Sequence, residues 1–183
     1  MKKVLLILCI TLPGIICWGQ VNSRPVTINP RSGYVTVNEL TGGYGMGQTT
    51  LDYSKYYFGF TTTHGYQLNI YGLHVNSSIV GGIGTGILFY NGGQLFPLYG
   101  DVRFRLNRGK ISPFLFARGG FLVSIKDFNE QTRSFVNGGG GINIKLDERI
   151  SFSIGPGLLV QMGSNVSRDT FITLNAGIVF KPN

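Results

Sequence analysis

Cysteine is nearly absent: Cys9 and Cys17 are the only two in 183 residues, and both lie at the front of the chain. The histidines number two, His64 and His74, ten positions apart, so no cluster has the spacing of a metal site. Charge is scarce as well, at 13% of residues against about a quarter in ordinary soluble domains. No stretch approaches the roughly 18 uninterrupted apolar residues that a spanning helix requires. Motifs are missing too. No Gly-Lys-Ser/Thr follows the glycines at 81–86 or 138–141, which excludes a phosphate loop, and no Gly-x-Ser-x-Gly elbow occurs. No cofactor is expected, and glycine inside strands reads instead as close packing or coiling.

What is abundant is glycine, 28 residues, and aromatic rings, 9 Tyr and 13 Phe, a combination that points to β structure within one domain. The first 19 residues read separately. Lys2 and Lys3 precede the apolar run Val4–Ile10, Pro13 and Gly14 break it, and Cys17 and Gly19 are small residues suited to cleavage before Gln20. Lipidation at Cys17 is disfavoured by Ile16, where a small residue is wanted. Removal of residues 1–19 takes both cysteines and Trp18, leaves no disulfide in an exported chain, and lowers the net charge from +8 to +6. The remaining basic residues are scattered, without a basic run, and export makes a nucleic-acid partner improbable.

Residues 20–33, with Pro25 and Pro30, read as an extended lead-in, and 34–183 as the folded domain. The plainest pattern is the last one. Thr170, Ile172, Leu174, Ala176, Ile178 and Phe180 alternate with Phe171, Thr173, Asn175, Gly177 and Val179, the period of a two-faced strand fit to close a barrel. Similar alternation predicts strands at 34–46, 56–69, 78–90, 95–106, 111–124, from about Val136 to Leu146, and at 150–162, eight in all. The links after the first, fifth and seventh strands are long and polar, and those after the fourth and sixth are brief. That suits an up-and-down antiparallel barrel with short periplasmic turns and longer outer loops.

Polarity decides which solvent surrounds it. In the fourth strand Leu98, Val102, Phe104 and Leu106 share one face while Tyr99, Asp101, Arg103 and Arg105 share the other. An arginine or lysine facing lipid at mid-membrane costs about 2 to 4 kcal/mol, so Arg103, Arg105, Arg118 and Lys145 are predicted to point into the lumen, where Glu39 and Asp101 can pair with them. Strands of about 9 to 11 tilted residues span the hydrocarbon, and closure satisfies every backbone group. Tyr44, Phe58, Tyr66, Tyr90, Phe96, Phe152 and Phe180 lie near strand ends, as an interfacial girdle requires.

With its signal, alternating strands, charged fourth strand and the terminal stretch Asn175–Phe180, the chain resembles the small eight-stranded outer-membrane β-barrel proteins of Gram-negative bacteria from Tyr34 to Phe180. The resemblance implies outer-membrane location, lipid and lipopolysaccharide as surroundings, and delivery by the barrel assembly machinery. Asn175, Gly177 and Phe180 are similar to its insertion signal, from which this chain departs by continuing Lys181-Pro182-Asn183. It does not imply one function.

For the lumen charges Glu39, Asp101, Arg103, Arg105, Arg118 and Lys145, a packed polar plug is expected rather than an ion path, because eight strands leave an interior just wide enough for side chains. Lys55, Lys126, Arg133 and Arg168 fall on outer loops, where they could meet lipopolysaccharide phosphates. The leading expectation is a monomeric, non-enzymatic barrel with a structural, adhesive or accessory role. A lipid-modifying enzyme using His64 or His74 is the alternative. A soluble, exported ligand-binding barrel of lipocalin type is the third class.

Overall fold

A computed structural model describes residues 27–46, 55–73, 75–90, 93–106, 109–124, 132–163 and 168–182. The expected signal segment, His74 and Lys126 lie outside the described residues. Eight antiparallel strands, β1 (Thr27–Gly45), β2 (Tyr56–Leu73), β3 (Val75–Tyr90), β4 (Gly93–Arg105), β5 (Ile111–Val123), β6 (Arg133–Lys145), β7 (Ile150–Met162) and β8 (Arg168–Phe180), pair in chain order and close through β1 and β8. The fold is therefore the all-β up-and-down barrel that the alternation predicts. At the end carrying the termini, the β6–β7 hairpin is tied by the N–H groups of Leu146 and Asp147, both donating to the carbonyl of Ile150 at 3.0 Å.

The stagger of the strands determines which side chains meet. Starting at Val35 and stepping through the paired residues Gly65, Gly82, Asp101, Arg118, Asn137, Leu159 and Phe171 returns to β1 at Gly45, ten residues further on. A closed sheet staggered this way has tilted strands, and residues in one hydrogen-bonded row climb steadily along the axis. Side chains level with one another in the lumen thus come from different rows.

The first three strands run longer than their alternation suggested. β1 begins at Thr27, inside the segment read as a lead-in, and pairs there with Tyr71 of β2, while β2 continues to Leu73 and β3 starts at Val75. β8 stops opposite Thr36 and β4 opposite Ser78, so these three strands project past their neighbours. Pro30 and the register shift between Asn29 and Gly33 interrupt the period of two there, which hides the strand from a pattern search.

Outward positions form an apolar belt: Leu40, Ile83, Leu98, Val102, Leu115, Ile142, Leu158, Ile172, Leu174 and Ile178 are all exposed. Tyr44 and Phe58 lie towards the loop end of this belt, and Tyr66 and Phe180 towards the end with the termini. Tyr90 departs from the girdle expected of it. It is buried inside, its ring centroid 5.1 Å from that of Tyr57.

Inward positions fill the lumen in three layers. Val35, Val37, Val80 and Val179 cluster at the end with the termini, and charged and hydroxyl-bearing side chains occupy the middle. The loop-side half is mainly apolar, built on Tyr57, Leu88, Tyr90, Leu95, Tyr99, Leu122, Phe135, Leu159 and Phe171, and it also buries Gln161, Arg133 and Asp169. Inward glycines make room for these groups. A Cβ at Gly84 would lie 2.3 Å from the Tyr99 ring, and one at Gly43 2.2 Å from that of Tyr57. Close packing is thus the work of several strand glycines.

Candidate functional site: the closed lumen

The middle layer is built around two arginines and two carboxylates. Arg103 donates from both terminal nitrogens to Glu39, Nη1 to Oε1 at 3.0 Å and Nη2 to Oε2 at 2.9 Å, a two-point fork. Its Nη2 and Nε also reach Asp101 Oδ2, at 2.7 and 3.1 Å. Arg118 completes the ring by donating from Nε to Asp101 Oδ2 at 3.1 Å and from Nη2 to Glu39 Oε2. All four residues are buried. The stagger explains the meeting: Glu39 on β1, Asp101 and Arg103 on β4 and Arg118 on β5 come level although Glu39 pairs along its own row with Thr61 and Gly177.

Around the quartet the polar groups are largely engaged. Thr63 bonds the Tyr99 hydroxyl at 3.0 Å, Thr41 donates to Asn175 Oδ1 at 2.9 Å, and the Arg118 guanidinium stands 4.7 Å from the centroid of the Phe116 ring. The positive and negative charges of the quartet balance, which is the condition for keeping ions in a layer away from bulk water. A space of about 20 Å³ lies between this layer and the aromatic cap, bordered by Arg118 and by Thr61 and Asn137, whose side-chain oxygens Oγ1 and Oδ1 lack a partner. On the other side, a space of about 10 Å³ is bordered by Arg103, Arg105, Asn143 and Ser153. Such volumes have room for about one water each.

Of the six charges read from the sequence, the structure brings Glu39, Asp101, Arg103 and Arg118 into one network. Arg105 has the same inward phase but is only half-buried, beside the smaller space and outside the quartet. Lys145 is exposed at the last residue of β6, where the phase of the strand no longer confines a side chain to the lumen.

Arg133 is not a loop residue. It opens β6, is buried, and its Nη1 donates to Asp169 Oδ2 at 2.8 Å, a second internal ion pair that the alternation misses because both residues sit at strand ends. Lys55 and Arg168 are exposed at the loop end. Asn175 and Gly177 face inward, and a Cβ at Gly177 would lie 2.4 Å from Cγ of Glu39, so this glycine has a packing reason of its own. Phe180 faces outward, paired with Thr36 and Ile150.

His64 faces away from the lumen. Its Nδ1 bonds the Tyr34 hydroxyl and its Nε2 lies 3.5 Å from the Thr62 hydroxyl, all on the outer surface of β1 and β2. This is not a nucleophile, base and carboxylate in sequence, the arrangement a hydrolytic triad needs.

Neither a protein-family model nor a curated protein matches the chain. Among solved structures it is similar to neisserial surface protein A, at 11% identity and a TM-score of 0.50 over 82% of this chain and 99% of that one. It also aligns with the outer membrane protein OprG from Pseudomonas aeruginosa, at 9% identity and a TM-score of 0.39 over 82% of this chain and 96% of that one. The first of these likenesses extends to the fold.

Proposed function

We propose that this chain is an integral barrel of the bacterial outer membrane that anchors its loops at the cell surface and keeps its lumen shut. The apolar belt supports the membrane half of that reading. A barrel in water would leave Leu40, Ile83, Leu98, Val102, Leu115, Leu174 and Ile178 unprotected, whereas lipid suits them and the closed ladder needs no other backbone partner. In this orientation the termini face the periplasm, with Asn175, Gly177 and Phe180 offered to the assembly machinery. Lys55 and Arg168 stand at the outer surface, where lipopolysaccharide phosphates are in reach. Arg133 is excluded from that role by its pairing with Asp169.

The observation that carries the closed lumen is the Glu39–Asp101–Arg103–Arg118 ring, backed by a dense aromatic layer. Ions have no hydrated path through groups that already satisfy one another, so the role is structural, adhesive or accessory rather than that of a general porin. Planar-bilayer recording tests it. The purified, reconstituted chain is expected to give no stable current steps, and large, long-lived steps would reject the closed lumen.

A further inference from the structure

The mouth at the end carrying the termini has a charge pattern of its own. Arg105 ends β4, Lys110 precedes β5, Lys145 ends β6, Arg149 precedes β7 and Lys181 follows β8, so five successive strands each bring one cation to the same rim. Each keeps the inward phase, two positions beyond Arg103, Ser112, Asn143, Ser151 and Val179, which are buried in the lumen. Their outward neighbours Leu106, Ile111, Leu146, Ile150 and Phe180 are exposed and apolar. Among the described residues, the acids at this rim are Asp147 and Glu148, both in the turn between β6 and β7.

Backbone pairing holds like charges together there. The N–H of Lys145 donates to the carbonyl of Lys110 at 2.8 Å and that of Lys181 to the carbonyl of Arg149 at 2.9 Å, so two cross-strand pairs each set cation beside cation. Like charges directly opposite one another in a ladder are destabilising, and a concave rim of one sign concentrates anions. An anion lying between the pairs relieves both. Which anion follows from the face that carries the charge. Lipid headgroups lie outside the barrel, against Leu106, Ile111, Leu146, Ile150 and Phe180, whereas the cations hold the lumen side of the rim. Behind them the lumen is packed, with a space of only about 10 Å³ beside Arg105, so the ligand lies across the mouth instead of entering it. Spacing adds the last condition. Strands about 4.8 Å apart, tilted by a stagger of ten residues in eight strands, meet the rim roughly 6 to 7 Å apart, which is also the distance between alternate residues of an extended peptide.

On this geometry, and resting on the orientation proposed above, we infer that the rim of β4–β8 is a docking collar for an extended acidic segment of a periplasmic protein, with carboxylates at alternate positions. To test it, the barrel is placed in phosphatidylcholine nanodiscs, where both ends meet solution, and titrated with a labelled peptide that alternates glutamate and threonine. Binding that weakens with added salt is expected. A chain with Lys110→Gln, Lys145→Gln and Arg149→Gln, all exposed positions, should bind at least about fivefold more weakly, while Lys55→Gln with Arg168→Gln at the loop end should change binding less than about twofold. Heat-modifiable gel mobility verifies that each variant is folded. No binding by the wild type, equal binding by the triple variant, equal affinity for a peptide with its glutamates in one block, or tighter binding of soluble cell-wall fragments would overturn the inference. Competition by phosphatidylglycerol in the nanodisc would overturn it too, by making the collar a headgroup site. Orientation is read separately. A thiol reagent that does not cross the outer membrane should leave Lys145→Cys unlabelled in intact cells, and labelling there would reject the periplasmic assignment even where the peptide binds.

Discussion

The two halves of the lumen close the barrel by different physics. In the middle, four charged side chains on three strands satisfy one another through directed hydrogen bonds, and each depends on the others being in place. Towards the loops, nine apolar and aromatic side chains pack chiefly by shape, with ring pairs such as Tyr57 and Phe171 at 5.4 Å and Tyr99 and Phe135 at 6.1 Å, while the Tyr90 and Tyr99 hydroxyls bond Gln161 and Thr63. A buried ion network adds little net stability over apolar packing of the same volume, yet the loss of one member is severe because its partners stay behind unpaired. The ionic layer therefore specifies the register, and the cap supplies tolerant bulk.

The contrast breaks most sharply at Asp101. Asp101→Ala strands Arg103 and Arg118 beside a single carboxylate, so unfolding followed in detergent should show a loss of about 3 to 5 kcal/mol. Leu122→Ala in the cap leaves a cavity but no orphaned charge, and about 3 kcal/mol is expected by the same measurement. A smaller effect, about 2 kcal/mol, is predicted for Gly84→Ala, whose methyl group forces the Tyr99 ring aside, with a matching change in tyrosine near-UV circular dichroism. Val102→Ala, one position from the ionic layer but facing lipid, should lose about 1 kcal/mol or less, since lipid refills the space. If Val102→Ala matches Asp101→Ala, the distinction between the faces of β4 fails. Chemistry separates the two halves as well as size does. Arg103→Lys gives up the two-point fork to Glu39 and should destabilise more than Leu122→Met, a near-isosteric change in the cap.

Much of this was legible because a period of two exposes both faces of a strand at once. β4 is the clearest case: Asp101, Arg103 and Arg105 alternate with Val102, Phe104 and Leu106, and phase alone assigns the charges to the lumen. Phase does not say how far along the axis a side chain sits. That depends on the stagger, a property of closure, so Arg105 and Lys145 share the phase of the network without reaching it, while Glu39 joins partners 64 and 79 positions away that no local pattern links to it. The aromatic cap was hidden for another reason. Tyr and Phe suit the interface, the lipid belt and a packed interior alike, and Tyr90 was assigned to the wrong one. Arg133 and Asp169 keep the inward phase but lie at the loop-side starts of β6 and β8, ahead of Phe135 and Phe171, the first apolar inward residues that make the period visible.

The assignment of faces underlies the closed lumen, the ionic layer and the apolar belt together, and neighbouring residues on β4 test it most directly. In a chain without Trp18, a single tryptophan is placed at Leu98, which faces outward, or at Tyr99, which is buried in the lumen, and each variant is reconstituted in lipids with brominated acyl chains. Strong quenching of Leu98→Trp fluorescence and little quenching of Tyr99→Trp is the predicted result. The reverse order, or equal quenching at both positions, would contradict the register, because a slip of one residue exchanges the lipid and lumen faces of the strand.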